Sequence, residues 1–113
     1  MPPTDFVRLR HMLDAASKAL EFGTGQTGRQ LSVDRMRSLA IVRCIEILGE
    51  AASKVGVETR AAHSEIPWID IIGMRNRLIH AYFDVDTDRV CDTITNDLPP
   101  LVAALQPMIT PAS

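Results

Sequence analysis

The chain has 113 residues, 46% of them hydrophobic and 23% charged, and a net charge of −2. That length supports one hydrophobic core and is short for two, so residues 1–113 are read as a single domain of ordinary globular composition. No apolar run reaches the roughly 18–20 residues of a membrane span, and the slight acidity argues against a protein that coats nucleic acid through a basic surface, though not against one that grips a phosphate or two locally.

Met1-Pro2-Pro3-Thr4-Asp5 lacks a basic region followed by an apolar stretch, so no secretory signal is expected and the cytoplasm is the expected compartment. Phe6, Leu9, Leu13, Ala16 and Leu20 then recur at three- and four-residue steps, which predicts a first helix. Thr4 or Asp5 is its expected cap and Gly23 its expected end.

Residues 23–31 read as a polar connection. They contain a literal G-x-G-x-x-G at Gly23, Gly25 and Gly28. A dinucleotide fingerprint follows a strand inside a βαβ unit. Here an amphipathic helix precedes it, so the glycines read as a helix–helix loop.

A second helix is predicted from about Asp34 to Lys54. Ile41, Ile45, Leu48 and Ala52 form one apolar stripe, and Met36, Ala40, Cys44, Ile47 and Ala51 a neighbouring one. Two adjacent stripes imply a wide buried face and hence a central helix. Arg43, Glu46, Glu50 and Lys54 are left on the wet side. Cys44 and Cys91 match no metal spacing and read as reduced core thiols.

Residues 56–66 form another polar connection, with room for one helical turn near Thr59 to His63. Pro67 suits the first turn of a helix predicted over 67–82. In Asp84-Val85-Asp86-Thr87-Asp88 the alternating aspartates invite a calcium-loop reading. Arg89 stands where the tight-turn glycine should be and Thr95 where the closing glutamate should be. Capping of the next helix explains the aspartates more simply. Val90, Ile94, Leu98, Leu101 and Leu105 then share a helical face, which Pro99 and Pro100 are expected to kink or break, with a terminal helix ending near Pro107.

The chemistry concentrates in Gly73-Met74-Arg75-Asn76-Arg77-Leu78-Ile79-His80-Ala81-Tyr82. On a helix, Trp68, Ile71, Ile72, Leu78 and Ile79 define an inward arc with Arg75 in its middle. A guanidinium there must be paired, or must open onto a cleft or an interface. Asn76 and His80, four apart, would be neighbours, so the amide could orient the ring. Gly73 leaves space for a close approach. His11 and His63 lie in polar contexts and read as surface residues; Arg77 reads as a solvated or phosphate-steering charge.

An arginine, a histidine and an oriented amide suit cleavage of an RNA phosphodiester. The imidazole can move a proton and the guanidinium can hold phosphate charge, with no metal and no cofactor required. The plainer alternative is a salt bridge or cap interaction near a helix end. One His80 does not easily serve as acid and base together, and five residues separate it from Arg75 by about 140° of helix. Two copies pooling their residues about a two-fold axis would ease both problems.

The ordered string Arg75-x-x-x-x-His80-x-Tyr82 within GMRNRLIHAYFDVD closely resembles the motif of the HepT-like branch of HEPN domains. The Pro67-Trp68 helix start, the IVRCIEILGEAASK stretch and the TNDLPPLV segment resemble the same family. The resemblance implies an all-α, antiparallel, HEPN-like bundle of four to five helices that dimerises around a shared cleft. It implies a metal-independent endoribonuclease, the toxin of a type VII toxin–antitoxin pair, with Arg75 and His80 catalytic and Asn76 supporting. It also implies a minimal nucleotidyltransferase antitoxin (MntA-like) that transfers AMP from ATP to Tyr82. A non-catalytic HEPN module that binds a nucleotide or a partner is the alternative.

Overall fold

A computed structural model describes residues 1–80 and 84–109, and among these the chain is helical throughout its regular structure. The elements are α1 (Pro3–Gly23), α2 (Gly28–Val33), α3 (Arg35–Ser53), α4 (Val57–Ala62), α5 (Trp68–Leu78), α6 (Thr87–Asp92), a π turn (Thr93–Asp97) and α7 (Leu98–Ile109). The longer helices make an all-α bundle and α2 and α4 are short insertions in its connections. This is the expected fold class.

α3 is the centre, packing against α1 on one side and α5 on the other, while α7 closes on α1. Leu9, Met12, Ala16 and Ala19 of α1 meet Ile41, Ile45, Leu48 and Ala52 of α3, with Ile71 and Leu78 of α5 and Leu98, Leu101 and Leu105 of α7 completing the core. Each large side chain among them contributes roughly 1.5–3 kcal/mol by leaving water. The first predicted stripe of α3 is therefore fully internal. The second is not: Cys44 and Ala51 are buried, but Met36 and Ile47 are exposed. α1 and α5 are its main neighbours, and those two positions face away from both into solvent.

α1 is capped two or three residues earlier than expected. Pro2 is the N-cap and Pro3 the first helical residue, a place where a missing N–H costs nothing. Asp5 is instead turned inward. Its carboxylate accepts the Gly56 N–H at 3.0 Å and the Thr59 hydroxyl at 2.6 Å, tying α1 to the start of α4. These two bonds hold its carboxyl below the usual carboxylate range, against the opposing effect of burial.

The glycine-rich loop is a connection, as expected, but includes α2. Thr27 caps that helix by accepting the Gln30 N–H, and the Gln30 side chain accepts the Thr27 N–H in return. Gly23 is the last residue of α1 and Gly28 the first of α2, so no strand precedes either. Asp34 caps α3 through the Arg37 N–H at 3.1 Å.

α5 ends four residues sooner than its periodicity predicts. Ile79 is extended (φ −124°, ψ 127°). The Leu78 carbonyl is taken by the Asp86 N–H at 2.7 Å, and the His80 N–H donates to the Asp84 carbonyl at 2.8 Å. Ile79 and Val85 thus face each other in one antiparallel bridge. Asp86 then caps α6 by accepting the Arg89 N–H, as the aspartate run predicts.

Pro99 and Pro100 neither break nor stop the last helix. A π turn precedes them, with the Leu98 N–H reaching five residues back to the Thr93 carbonyl. The wider turn relieves the contact a proline ring makes with the preceding turn. α7 continues through Pro107 to Ile109, two residues beyond the expected end. No described helix is long and apolar enough to cross a membrane. Cys44 and Cys91 are free thiols, and burial raises the pKa of both.

Candidate active site

The site depends on how closely α3 approaches α5. A Cβ built on Gly49 would stand 3.1 Å from the Ile71 carbonyl oxygen and 3.2 Å from that of Ile72. Only a residue without a side chain allows this spacing at no strain. Gly49 lies beside Ile71 and Ile72, and Glu46, one turn earlier on α3, lies beside Arg75. The two helices therefore run antiparallel, in a register that brings a carboxylate to the arginine.

The buried arc of α5 is Trp68, Ile71, Met74 and Leu78. Ile72 is exposed and Ile79 half-buried, so the arc is turned by about one position from the predicted one. Arg75 consequently stands at its rim, half-exposed. Its Nε is buried and lies 3.5 Å from Glu46 Oε2, within ion-pair range though not in hydrogen-bond geometry. Glu46 also receives a hydrogen bond from the Arg43 Nη1. One carboxylate is thus shared between two guanidinium groups.

Asn76 lies on the exposed surface, and its side-chain oxygen accepts from Arg75 Nη1 at 3.4 Å. The expected Asn76–His80 adjacency required helix as far as residue 80, and that turn does not form. Gly73 faces open space, with nothing within 4 Å of a Cβ built there. Arg77 donates to the Asp70 carbonyl at 2.7 Å and stays exposed.

His80 stands beyond the helix, on the bridge to α6, with 62% of its side chain exposed. Its Nε2 lies 3.1 Å from Asp86 Oδ2. Among the described residues this is the ring's one polar partner. Tyr82 lies outside the described residues. Of the remaining histidines, His11 is exposed and His63 sits 3.5 Å from Glu65 at the surface.

Sequence reasoning missed both carboxylates in these roles. Glu46 was expected only on the wet side of α3, and Asp86 only as a cap. No local signal marks Glu46, because its partner is set by the α3–α5 register. A groove of about 350 Å³ lies between α5, the π turn and α7, lined by Ile66, Asp70, Met74, Arg77, Asn96 and Leu101 among others, and includes neither Arg75 nor His80.

Among the described residues, the bundle thus carries an arginine and a histidine, each beside a carboxylate and each open to solvent. The sequence profile described as Ribonuclease HepT-like matches residues 12–108. The chain belongs to the HepT-like ribonuclease family. It is 37% identical over 93 residues to a protein named putative RNase in Caldanaerobacter subterraneus subsp. tengcongensis, covering 82% of this chain and 83% of that one. It is 40% identical over 68 residues to a protein named probable ribonuclease HepT in Thermococcus cleftensis, covering 60% and 62%. A protein named putative RNase in Methanocaldococcus jannaschii is 30% identical over 91 residues, 80% of this chain and 84% of that one. No solved structure matches the chain.

Proposed function

We propose that this chain is a metal-independent endoribonuclease acting in the cytoplasm as the toxin of a type VII toxin–antitoxin pair. The observation that carries this reading is the pairing of Arg75 with Glu46 and of His80 with Asp86, both basic side chains open to solvent, in a chain of a ribonuclease family. A carboxylate behind each group steadies its orientation and leaves its outer edge for substrate.

The ribose 2′-hydroxyl attacks the adjacent phosphorus and the phosphorus–5′-oxygen bond breaks. The products are a 2′,3′-cyclic phosphate and a 5′-hydroxyl end. An imidazole takes the 2′-hydroxyl proton, a second proton goes to the leaving oxygen, and Arg75 holds the charge on the non-bridging oxygens. Asn76, bonded to Arg75, supports the guanidinium.

A homodimer supplies the second imidazole. Its support is a set of exposed apolar side chains on the two helices that carry Glu46 and Arg75: Met36, Leu39 and Ile47 on α3, and Ile69 and Ile72 on α5. Large apolar side chains left in water on neighbouring helices suit an interface. The antitoxin is a minimal nucleotidyltransferase that moves AMP from ATP to the Tyr82 hydroxyl, releasing pyrophosphate. The added anion, two residues from His80, competes with substrate phosphate.

The test is cleavage of RNA by purified protein in the presence of a chelator. The wild-type chain cleaves and arrests growth when expressed alone, whereas folded His80→Ala does neither. Normal cleavage by His80→Ala would end the reading.

A further inference from the structure

We propose that Asp86 is a positioning residue for His80: its carboxylate holds the neutral imidazole in the Nε2–H tautomer and leaves Nδ1 as the lone pair that meets substrate. The role of His80 rests on the ribonuclease reading above; the tautomer does not.

Asp86 is fixed at two points and faces His80 with its remaining oxygen. Its backbone N–H donates to the Leu78 carbonyl at the end of α5. Its Oδ1 accepts the Arg89 N–H at 3.1 Å at the start of α6. Its Oδ2 is left for His80 Nε2, 3.1 Å away. His80 is anchored by the same short bridge, through its own N–H to Asp84. Both ends of the contact are therefore held by one piece of backbone, and the ring's approach to the carboxylate does not depend on a helix turn.

An ionised carboxylate only accepts hydrogen bonds. To bond to it, a neutral imidazole must carry its proton on Nε2, and Nδ1 then carries the lone pair. Capping α6 needs one oxygen, which serine or asparagine supplies equally well. The second oxygen, aimed at the histidine, is what a cap alone does not require.

The experiment uses the full chain with its two cap-preserving variants, Asp86→Ser and Asp86→Asn. Long-range ¹H–¹⁵N spectra read the His80 ring nitrogens at a pH where the ring is neutral, with the resonance assigned by its loss in His80→Gln. In the wild type the Nε2–H form dominates. In Asp86→Ser the ring relaxes to the mixture of a free neutral imidazole, in which the Nε2–H form still leads but less completely. In Asp86→Asn the side-chain amide donates to Nε2 while its oxygen keeps the cap, so the ring moves to the Nδ1–H form, the wrong-tautomer effect that this exchange has in a serine-protease triad. Melting temperatures stay near wild type, because the cap is retained.

In RNA cleavage kcat falls about 10- to 100-fold in Asp86→Asn, whose ring carries its proton on the wrong nitrogen, and far less in Asp86→Ser, while KM stays near wild type in both. A dominant Nδ1–H form in the wild type, or the same tautomer in all three proteins, overturns the proposal. So does an unchanged kcat in a variant whose tautomer has shifted. If the wild type cleaves no RNA, the ribonuclease reading falls and the spectra still decide what Asp86 does to His80.

Discussion

Glu46 on α3 and Arg75 on α5 meet across the helix seam, with Oε2 3.5 Å from Nε. Each side chain is roughly two-fifths exposed, 41% and 42%. An ion pair this open to water contributes about 0–1 kcal/mol to stability. Its effect is on where the guanidinium points, since Nε is held inward and the rest of the group stays half-exposed. Glu46→Gln is expected to leave the melting temperature nearly unchanged and to lower kcat/KM for RNA by about 10- to 100-fold, the usual cost of losing a group behind a functional one. Cleavage at the wild-type rate by this variant would remove Glu46 from the site.

Gly49 sets that seam. Gly49→Ala gains about 1 kcal/mol in helix propensity. It also forces a methyl group against two backbone carbonyls at 3.1 and 3.2 Å, and overpacking of this kind costs about 1–3 kcal/mol. The contact outweighs the propensity, so thermal unfolding should shift down by a few degrees, and Arg75 should move away from Glu46. A melting temperature above wild type would show that α5 yields freely.

The buried Asp5 gives the fold an acid limit. Bonds from the Thr59 hydroxyl and the Gly56 N–H lower its pKa in the folded chain. A lowered value favours the folded state wherever the carboxyl of the unfolded chain is ionised, and that advantage is lost as pH falls through the folded value. The melting temperature should therefore be flat near neutrality and drop below about pH 4, the ordinary range for an unfolded Asp. Asp5→Asn should be less stable at pH 7 and lose less on acidification. Parallel pH curves for the two proteins would dismiss the contribution.

Ile72 lies one turn from Asn76 and is exposed. If the proposed dimer covers it, Ile72→Asp places a charge in that contact. Light scattering should then report a folded monomer, and RNA cleavage should fall with Arg75 and His80 untouched. An unaltered dimer would locate the interface elsewhere.

Much of the bundle was legible from apolar period. α3 begins and ends within one residue of its sequence limits because Asp34 caps it and its stripe is unbroken. α5 was read too long because the period does not stop where the hydrogen bonds do: Ile79 continues the apolar pattern, while the Leu78 carbonyl is claimed by Asp86 from across the bridge. Asp5 was read as a cap because its residue type fits one, and only the placement of Thr59 redirects it. Arg75 and His80 were legible as an ordered motif. Their carboxylates were not, since one depends on helix register and the other on a bridge between residues 79 and 85.

The π turn has a consequence for how α7 is aimed. Val90, Ile94 and Leu98 advance by four residues each, and on an ordinary helix two such steps drift by about 80°. The widened coil at Thr93–Asp97 absorbs that drift, so Val90, Ile94, Leu98, Leu101 and Leu105 are all buried. The segment works as a phase corrector whose setting is a residue count. Inserting a further residue there would swing every downstream side chain through about 100°, turning the leucines toward water, whereas deleting one would return the coil to an ordinary helix with the leucines still inward, and exchanging its exposed Thr95 for another polar residue should pass almost unnoticed.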